Sequence, residues 1–253
     1  MLPYYETIFD AIEVKILRKF KEISSHIYLD KNARLALIKL ARSDRKKFAP
    51  SKVLSRAESR KTMDYLLSQR YLRLEKSREE KPTPQFKNHK LPKELRRYLI
   101  HDKVQFKSNF MRFWFRFVEP NLALLKEGKF DEVLSIIKAD FENYASLPFE
   151  NLSIKLAKIY LNSPNLELYS YWTKEFEVDM FSHSLGGIIG EVKFRDRKVC
   201  KNALNLLDLK AAKIGIKPKF TFLFSKSGYS NELLNLKRDD LKLFDLDDFA
   251  RLL

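Results

Sequence analysis

Asp179, Glu191 and Lys193 are the residues whose types and spacing point to chemistry. They lie in WTKEFEVDMFSHSLGGIIGEVKF, Trp172 to Phe194, where two apolar-and-acidic runs are joined by a short Gly-containing break. In a strand, alternate side chains share a face. The pattern therefore predicts Phe176, Val178 and Met180 on one face, with Glu177 and Asp179 on the other. After the break, Ile189, Glu191 and Lys193 share a face, opposite Ile188, Val192 and Phe194. If the two runs pair as a hairpin, Asp179, Glu191 and Lys193 converge. Two carboxylates on neighbouring strands are hard oxygen ligands suited to Mg²⁺ or Mn²⁺. Such a cation lowers the pKa of a bound water and neutralises charge on a phosphate. A lysine beside it can position the nucleophile and stabilise developing charge. The competing reading is a solvated, charged hairpin, because Asp followed at this spacing by Glu-x-Lys recurs by chance. Gly190 and its apolar neighbours favour a buried strand, where unpaired charges are costly.

The surrounding elements must place that hairpin. From Leu166 onward, LELYSYW, EFEVDMF and GGIIGEVKF read as successive strands. KNALNLLDLKAAKIG reads as a helix, KPKFTFLFS and LKLFD as strands, and LDDFARLL as a last helix. Before them, EGKFDEVLSIIKADFENYASLPFENLSIKLAKIYLNS reads as helical and ends before Pro164. FKSNFMRFWFRFVEPN repeats Phe110, Phe113, Trp114 and Phe117 at helical spacing, with Arg112 and Arg116 four apart. It reads as a buried connecting helix in preference to a base-stacking platform.

The amino-terminal half is mostly helical and carries the charge. The chain of 253 residues has a net charge of +16. Residues 1–100 hold 25 Lys/Arg against 12 Asp/Glu, a net of +13; residues 101–253 hold 24 against 21, a net of +3. A basic half suggests a polyanionic partner, since each cation near a phosphate can release a counterion. Residues 4–29 look helical, with Ile8, Ile12, Ile16, Leu17 and Phe20 inward. Asp30 or Asn32 can cap the helix in NARLALIKLARS. A short helix begins at the Pro of DRKKFAPSKVLS, and Ser55 with Glu58 forms a capping box for the next one. Met63, Leu66 and Leu67 face inward there, and Tyr71–Glu75 alternates like a short strand.

Helix, short helix, helix, strand is the order of a winged helix-turn-helix. Its third helix would present Arg56, Ser59, Arg60 and Lys61 outward, beside Lys46, Lys47 and Lys52. This predicts a DNA partner, duplex in form, with RNA or a protein as the weaker alternatives. REEKPTPQFKNHKLPKEL is polar and Pro-rich and reads as a long wing loop or linker. The expected domains are 1–100, winged helix; 101–130, connecting helix; and 131–253, nuclease-like.

The opening stretch resembles the PD-(D/E)xK nucleases. Asp179 stands for the Asp, Glu191-Val192-Lys193 for the (D/E)xK, and Val178 replaces the Pro. The resemblance implies a restriction-endonuclease-like α/β domain with a mixed central sheet. It also implies Mg²⁺-dependent phosphodiester hydrolysis, with Glu150 of the preceding helix as a further acidic ligand. The chain as a whole, over roughly residues 30–253, resembles the carboxy-terminal region of archaeal-type ATPases, the domain-of-unknown-function 234 family. The carrying residues are the helix-turn-helix-like half, FMRFWFRFVEPN and EVD…GEVKF. In that family a P-loop ATPase comes first. No GxxxxGK[ST] occurs here, and GGIIGEVK lacks the phosphate-gripping ending. The expectation is a free-standing version, in which an ATP-driven role needs a separate ATPase partner. The alternative to a nuclease is an inactive DNA-binding regulator or adaptor.

Other chemistries have little support. His26, His89, His101 and His183 are scattered without metal-ligand spacing. Cys200 is the single cysteine, so no internal disulfide can form. No stretch approaches the apolar length of a membrane span, and no signal peptide is recognisable, so a cytoplasmic protein is expected.

Overall fold

The computed structural model describes residues 5–43, 45–79, 82–84, 86, 89–96 and 100–252. In chain order the elements are α1 (Ile8–Ile12), α2 (Phe20–Ser25), α3 (Lys31–Ala41), α4 (Arg56–Ser68), β1 (Leu72–Glu75), α5 (Lys93–Arg96), β2 (Lys103–Phe106), α6 (Asn109–Phe113), α7 (Leu122–Lys126) and α8 (Phe130–Tyr160). Then follow β3 (Tyr169–Trp172), β4 (Glu177–Ser182), β5 (Ile188–Lys193), α9 (Lys201–Ile214), β6 (Phe220–Ser225), α10 (Asn231–Leu234) and β7 (Leu241–Phe244). The architecture is mixed α and β. By contact it divides into two compact units, one of residues to Lys76 with His101–Phe141, the other of Ser77–Ile100 with Glu142–Leu253.

In the first unit, side-chain oxygens fix where helices begin. Asp30 accepts the Ala33 N–H at 2.7 Å and caps α3. Ser55 and Glu58 exchange bonds in the expected capping box, Glu58 N–H to Ser55 Oγ at 3.3 Å and Ser55 N–H to Glu58 Oε2 at 3.1 Å. The Ser55 hydroxyl, which donates to Glu58 Oε2 at 2.7 Å, holds the Glu58 carboxyl below its ordinary pKa, helped by the Ser55 N–H. The stretch expected as one helix over residues 4–29 is instead broken: α1 passes into a wide π turn, Glu13–Leu17, before α2. Its first residue lies outside the described residues. Ala49–Lys52, at the predicted Pro, is a short 3₁₀ turn.

β1 pairs antiparallel with β2, Leu72 opposite Phe106 and Glu75 opposite Lys103. Within the Pro-rich stretch between them, residues 80, 81, 85, 87 and 88 lie outside the described residues, and its end forms α5. The aromatic segment is a core element, as expected: Phe113, Trp114 and Phe117 are buried, whereas Phe110 is exposed. The segment widens into a π turn at Trp114–Val118. Trp114 donates to Glu119 at 2.7 Å, and Arg34 pairs with the same carboxylate at 2.6 Å. Arg116 pairs with Asp140 and donates to the Ala41 carbonyl, both at 2.6 Å.

The second unit is built on a five-stranded sheet in the order β3-β4-β5-β6-β7. β3, β4 and β5 run antiparallel; β5, β6 and β7 run parallel. The change of direction has a covalent reason. A short turn joins β4 to β5, whereas β5 reaches β6 through α9, and a parallel pair needs such a crossover. One sheet face packs Val178, Phe181, Ile189 and Leu223 against Leu204, Leu207 and Ala211 of α9. The other packs Met180, Ile188, Val192, Phe222 and Phe224 against Phe149, Leu156 and Ala157 of α8. Each fully buried Phe there contributes roughly 1.5–3 kcal/mol. Covered on both faces, β5 and β6 are the nearly continuous apolar runs that the sequence shows. Among the described residues no helix is long and apolar enough to cross a membrane.

Gly190 lies where three strands meet. A Cβ added there would stand 3.2 Å from the Met180 Cβ and 3.2 Å from the Phe222 carbonyl oxygen. Gly190→Ala is therefore expected to lower the unfolding free energy by about 1–3 kcal/mol through overpacking. The urea midpoint measures it, and an unchanged midpoint would show that β4 and β6 have room to part.

Candidate functional site

A register slip creates the site. Tyr169 of β3 faces Phe181 of β4, but Tyr171 faces Val178. One residue of β3, Ser170, thus opposes two of β4, Asp179 and Met180, which is a β-bulge. The Ser170 hydroxyl donates to the Asp179 carbonyl at 3.4 Å. The bulge breaks the predicted alternation. Val178 and Phe181, three apart, pack on the α9 face, whereas Met180 packs on the α8 face. The expectation that Val178 and Met180 share a face is corrected by that one extra residue.

The bulge redirects Asp179. The β4–β5 ladder runs from Ser182 opposite Ile188 to Met180 opposite Gly190. One step further, the Asp179 carboxylate accepts the Val192 N–H at 2.8 Å. A side chain thus takes a donor at the end of the ladder, which sets Asp179 beside Glu191-Val192-Lys193, as the sequence predicts. Burial pushes the Asp179 carboxyl well above the ordinary carboxylate range, and the neighbouring Glu191 and Glu150 push it further. The Val192 N–H and Lys193 oppose that shift.

Glu191 is buried and paired twice. Lys193 Nζ donates to its Oε1, and Lys210 Nζ of α9 donates to its Oε2 at 2.8 Å. Glu150 lies on α8 next to Phe149, whose ring meets that of Phe194 at 5.1 Å, just past Lys193. Glu191, Glu150 and Lys193 thus all act on Asp179. Yet among the described residues no three His, Cys, Asp or Glu side chains stand close enough to enclose one metal ion. The donors are carboxylate oxygens, the type Mg²⁺ or Mn²⁺ takes, and the mutual repulsion felt by Asp179 is of the sign a cation relieves. Two ammonium groups already meet the charge of Glu191, so a cation there displaces at least one.

Lys210 was not foreseen. It lies on α9 beside the inward Ala211, and its sequence surroundings do not separate it from Lys201 or Lys213. His183 stands on the turn before β5, at the other end of that strand from Lys193, with its ring against Phe181 at 4.8 Å.

In the first unit, Arg56, Arg60 and Lys61 are exposed on α4 and Lys52 is exposed on the turn before it. Lys46 and Lys47 are half-buried; Lys46 bridges Lys103 and the Lys47 N–H donates to the Asp102 carbonyl at 3.0 Å. Ser59 is a correction. It is buried, on the same stripe as Thr62, Met63 and Leu66, because residues three and four apart share a helix face. It cannot project outward with Arg56 and Arg60.

Residues 114–204 match the domain-of-unknown-function 234 family, described as archaea bacterial proteins of unknown function. The chain is also similar to the protein named "Uncharacterized protein MJECL04" of Methanocaldococcus jannaschii, 31% identical over 157 residues, covering 57% of this chain and 34% of that one. The chain thus spans about a third of that relative's length. No solved structure matches.

The double pairing of Glu191 generates a stability prediction. Lys210→Met leaves a buried carboxylate oxygen without its charged donor and is expected to cost about 1–3 kcal/mol in urea unfolding. Lys213→Met, whose ammonium pairs with the exposed Glu175 at 2.8 Å, should leave the midpoint unchanged. Equal effects would mean that Glu191 does not depend on Lys210.

Proposed function

We propose that this chain is a DNA-binding protein whose second unit is a PD-(D/E)xK-like phosphodiesterase dependent on Mg²⁺ or Mn²⁺. One observation carries the reading: the bulge that sets Asp179 on the Val192 N–H, beside Glu191 and Lys193 and within the influence of Glu150. A cation held by Asp179 and Glu191 would supply a water of lowered pKa and offset charge on the phosphate, with Glu150 acting on the site through its charge alone. The chain's own residues do the rest. The Val192 N–H fixes Asp179 and the sheet fixes the backbone of Glu191, so a cation would find both carboxylates in place once a lysine has left Glu191. Lys193 is already oriented by Glu191, and its ammonium can move to a non-bridging phosphate oxygen as charge builds there. Hydrolysis forms one bond from a water oxygen to phosphorus and breaks one P–O ester bond. The water's proton passes to solvent, and the departing alkoxide is protonated from it.

DNA binding rests on the first unit. α3, the short turn Ala49–Lys52, α4 and the β1–β2 pair follow the order of a winged helix-turn-helix, and α4 exposes Arg56, Arg60 and Lys61. Those cations would meet phosphates and base edges from a helix presented to the major groove.

One observation favours a second reading. Each oxygen of Glu191 is held by its own lysine, a closed arrangement that suits an inactive scaffold. The protein is then a DNA-bound regulator or an adaptor to a separate ATPase.

Cleavage of labelled duplex and single-stranded DNA with Mg²⁺ or Mn²⁺ decides between them, with binding followed in the same tubes. The nuclease reading expects metal-dependent cutting that falls at least about a hundredfold in both Asp179→Asn and Lys193→Ala. Binding without cutting, unaltered by either change, leaves the adaptor.

A further inference from the structure

The two lysines on Glu191 reach it by different routes. Ile189 of β5 packs on α9, so Glu191, two residues on, is directed to the same helix. Lys193 follows on that face of the strand and meets Oε1. Lys210 comes from α9 itself, 19 residues away in sequence, and meets Oε2 at 2.8 Å.

The helix fixes where Lys210 starts. Leu207 and Ala211, three before it and one after, are buried against the sheet. From the edge of that stripe a largely covered stem carries the ammonium to Glu191, and the side chain is 22% exposed. Its neighbours have other partners: Asp208 pairs with Arg238 at 2.6 Å, and Lys213 with Glu175 at 2.8 Å.

Lys193 acts on both strand carboxylates. It donates to Glu191 and opposes the upward shift of Asp179. A cation shared by Asp179 and Glu191 takes over that double role, and Lys193 is then the ammonium it replaces. Lys210, on the helix side, keeps the other oxygen of Glu191. Carboxylates that ligate a metal are commonly held by such an outer hydrogen bond, which sets the direction of the ligating oxygen.

We propose that Lys210 is a positioning residue for the metal: it stays on Glu191 Oε2 and turns Oε1 toward the cation, while Lys193 is the lysine that leaves. This rests on the nuclease reading of the same site. The closed pairing of Glu191 is then a resting arrangement with two distinct parts. One ammonium is the exchangeable occupant of the metal's oxygen, and the other is the anchor. What Lys210 contributes is the donated N–H, because its positive charge taken alone repels a cation.

The test is the Mn²⁺ affinity of the full chain without DNA, read from the electron paramagnetic resonance of the free ion. Wild type is run beside Lys210→Met, Lys210→Arg and, as a control, Lys213→Met. Circular dichroism establishes that each variant is folded. Lys210→Met is expected to bind Mn²⁺ about tenfold more weakly. Lys210→Arg, which keeps a charged donor, should recover most of that loss, and the control should match wild type. If Lys210 acted only through its charge, Lys210→Met would bind Mn²⁺ more tightly. If it only supported the fold, a folded Lys210→Met would bind as wild type does. Either result overturns the proposal.

A second measurement needs no destabilised protein. The lysine ammonium signals of wild type are followed by NMR as Mg²⁺ is added, each assigned by its absence in an arginine variant. The Lys193 signal should lose its protection from exchange with water, and the Lys210 signal should keep it; the reverse overturns the proposal. Wild type that binds neither ion removes the metal-dependent nuclease and this inference together. Wild type and Lys210→Met that bind Mn²⁺ equally remove this inference alone and leave the nuclease standing.

Discussion

The bond from the Val192 N–H to the Asp179 carboxylate is what the second unit's site depends on. A regular ladder would have continued past Met180 and Gly190. The extra residue opposite Ser170 stops it, turns Met180 to the α8 face and leaves Asp179 to serve the next N–H of β5 with its side chain. A backbone donor inside a covered sheet has to be met, so once the ladder fails this bond is close to obligatory. It fixes the carboxylate among two others, in surroundings that disfavour its charge. Holding a carboxylate in such surroundings is a local expense in stability.

The rest of the second unit limits that expense. Lys193 and Lys210 divide the oxygens of Glu191 between them, one from the same strand and one from the helix packed on it. Gly190 leaves room for the Met180 Cβ of β4 and the Phe222 carbonyl of β6, each 3.2 Å from where its own Cβ would stand. Tyr229, buried beneath the sheet, donates between the carbonyls of Leu223 and Phe244, both at 2.6 Å, and so ties β6 to β7. Burial raises its phenol pKa, which keeps that donor protonated across the physiological range.

The first unit handles charge differently. Its cations on α4 are solvated, and their number, more than their individual placement, sets the field that a polyanion would meet. Its buried polar groups are organised by the aromatic segment instead. Glu119 takes both the Trp114 N–H and the Arg34 guanidinium, and Arg116 joins that segment to the Ala41 carbonyl and Asp140. The π turn at Trp114–Val118 accompanies this dense packing of large rings, where an extra residue per turn lets consecutive aromatic side chains all be buried.

Much of this was legible in the amino-acid sequence because it depends on short-range physics. The Ser55–Glu58 box, the Asp30 cap, the strands around LYSYW, EVDMF and IIGEVK, the helix from Lys201 and the inward aromatic face all follow from period, capping and β-propensity. So does the pairing that brings Asp179 to Glu191-Val192-Lys193, since the break between the runs permits only a tight antiparallel return. What the sequence could not decide is what depends on partners distant along the chain. Ser59 is polar and faces inward because of the packing around α4. The bulge at Asp179 and Met180 appears only in the register against β3. Lys210 and Glu150 come from helices on opposite faces of the sheet. Local patterns set which residues are strand or helix. Only the tertiary structure sets which buried charges find a counter-charge, because that depends on distances between elements that no sequence spacing encodes.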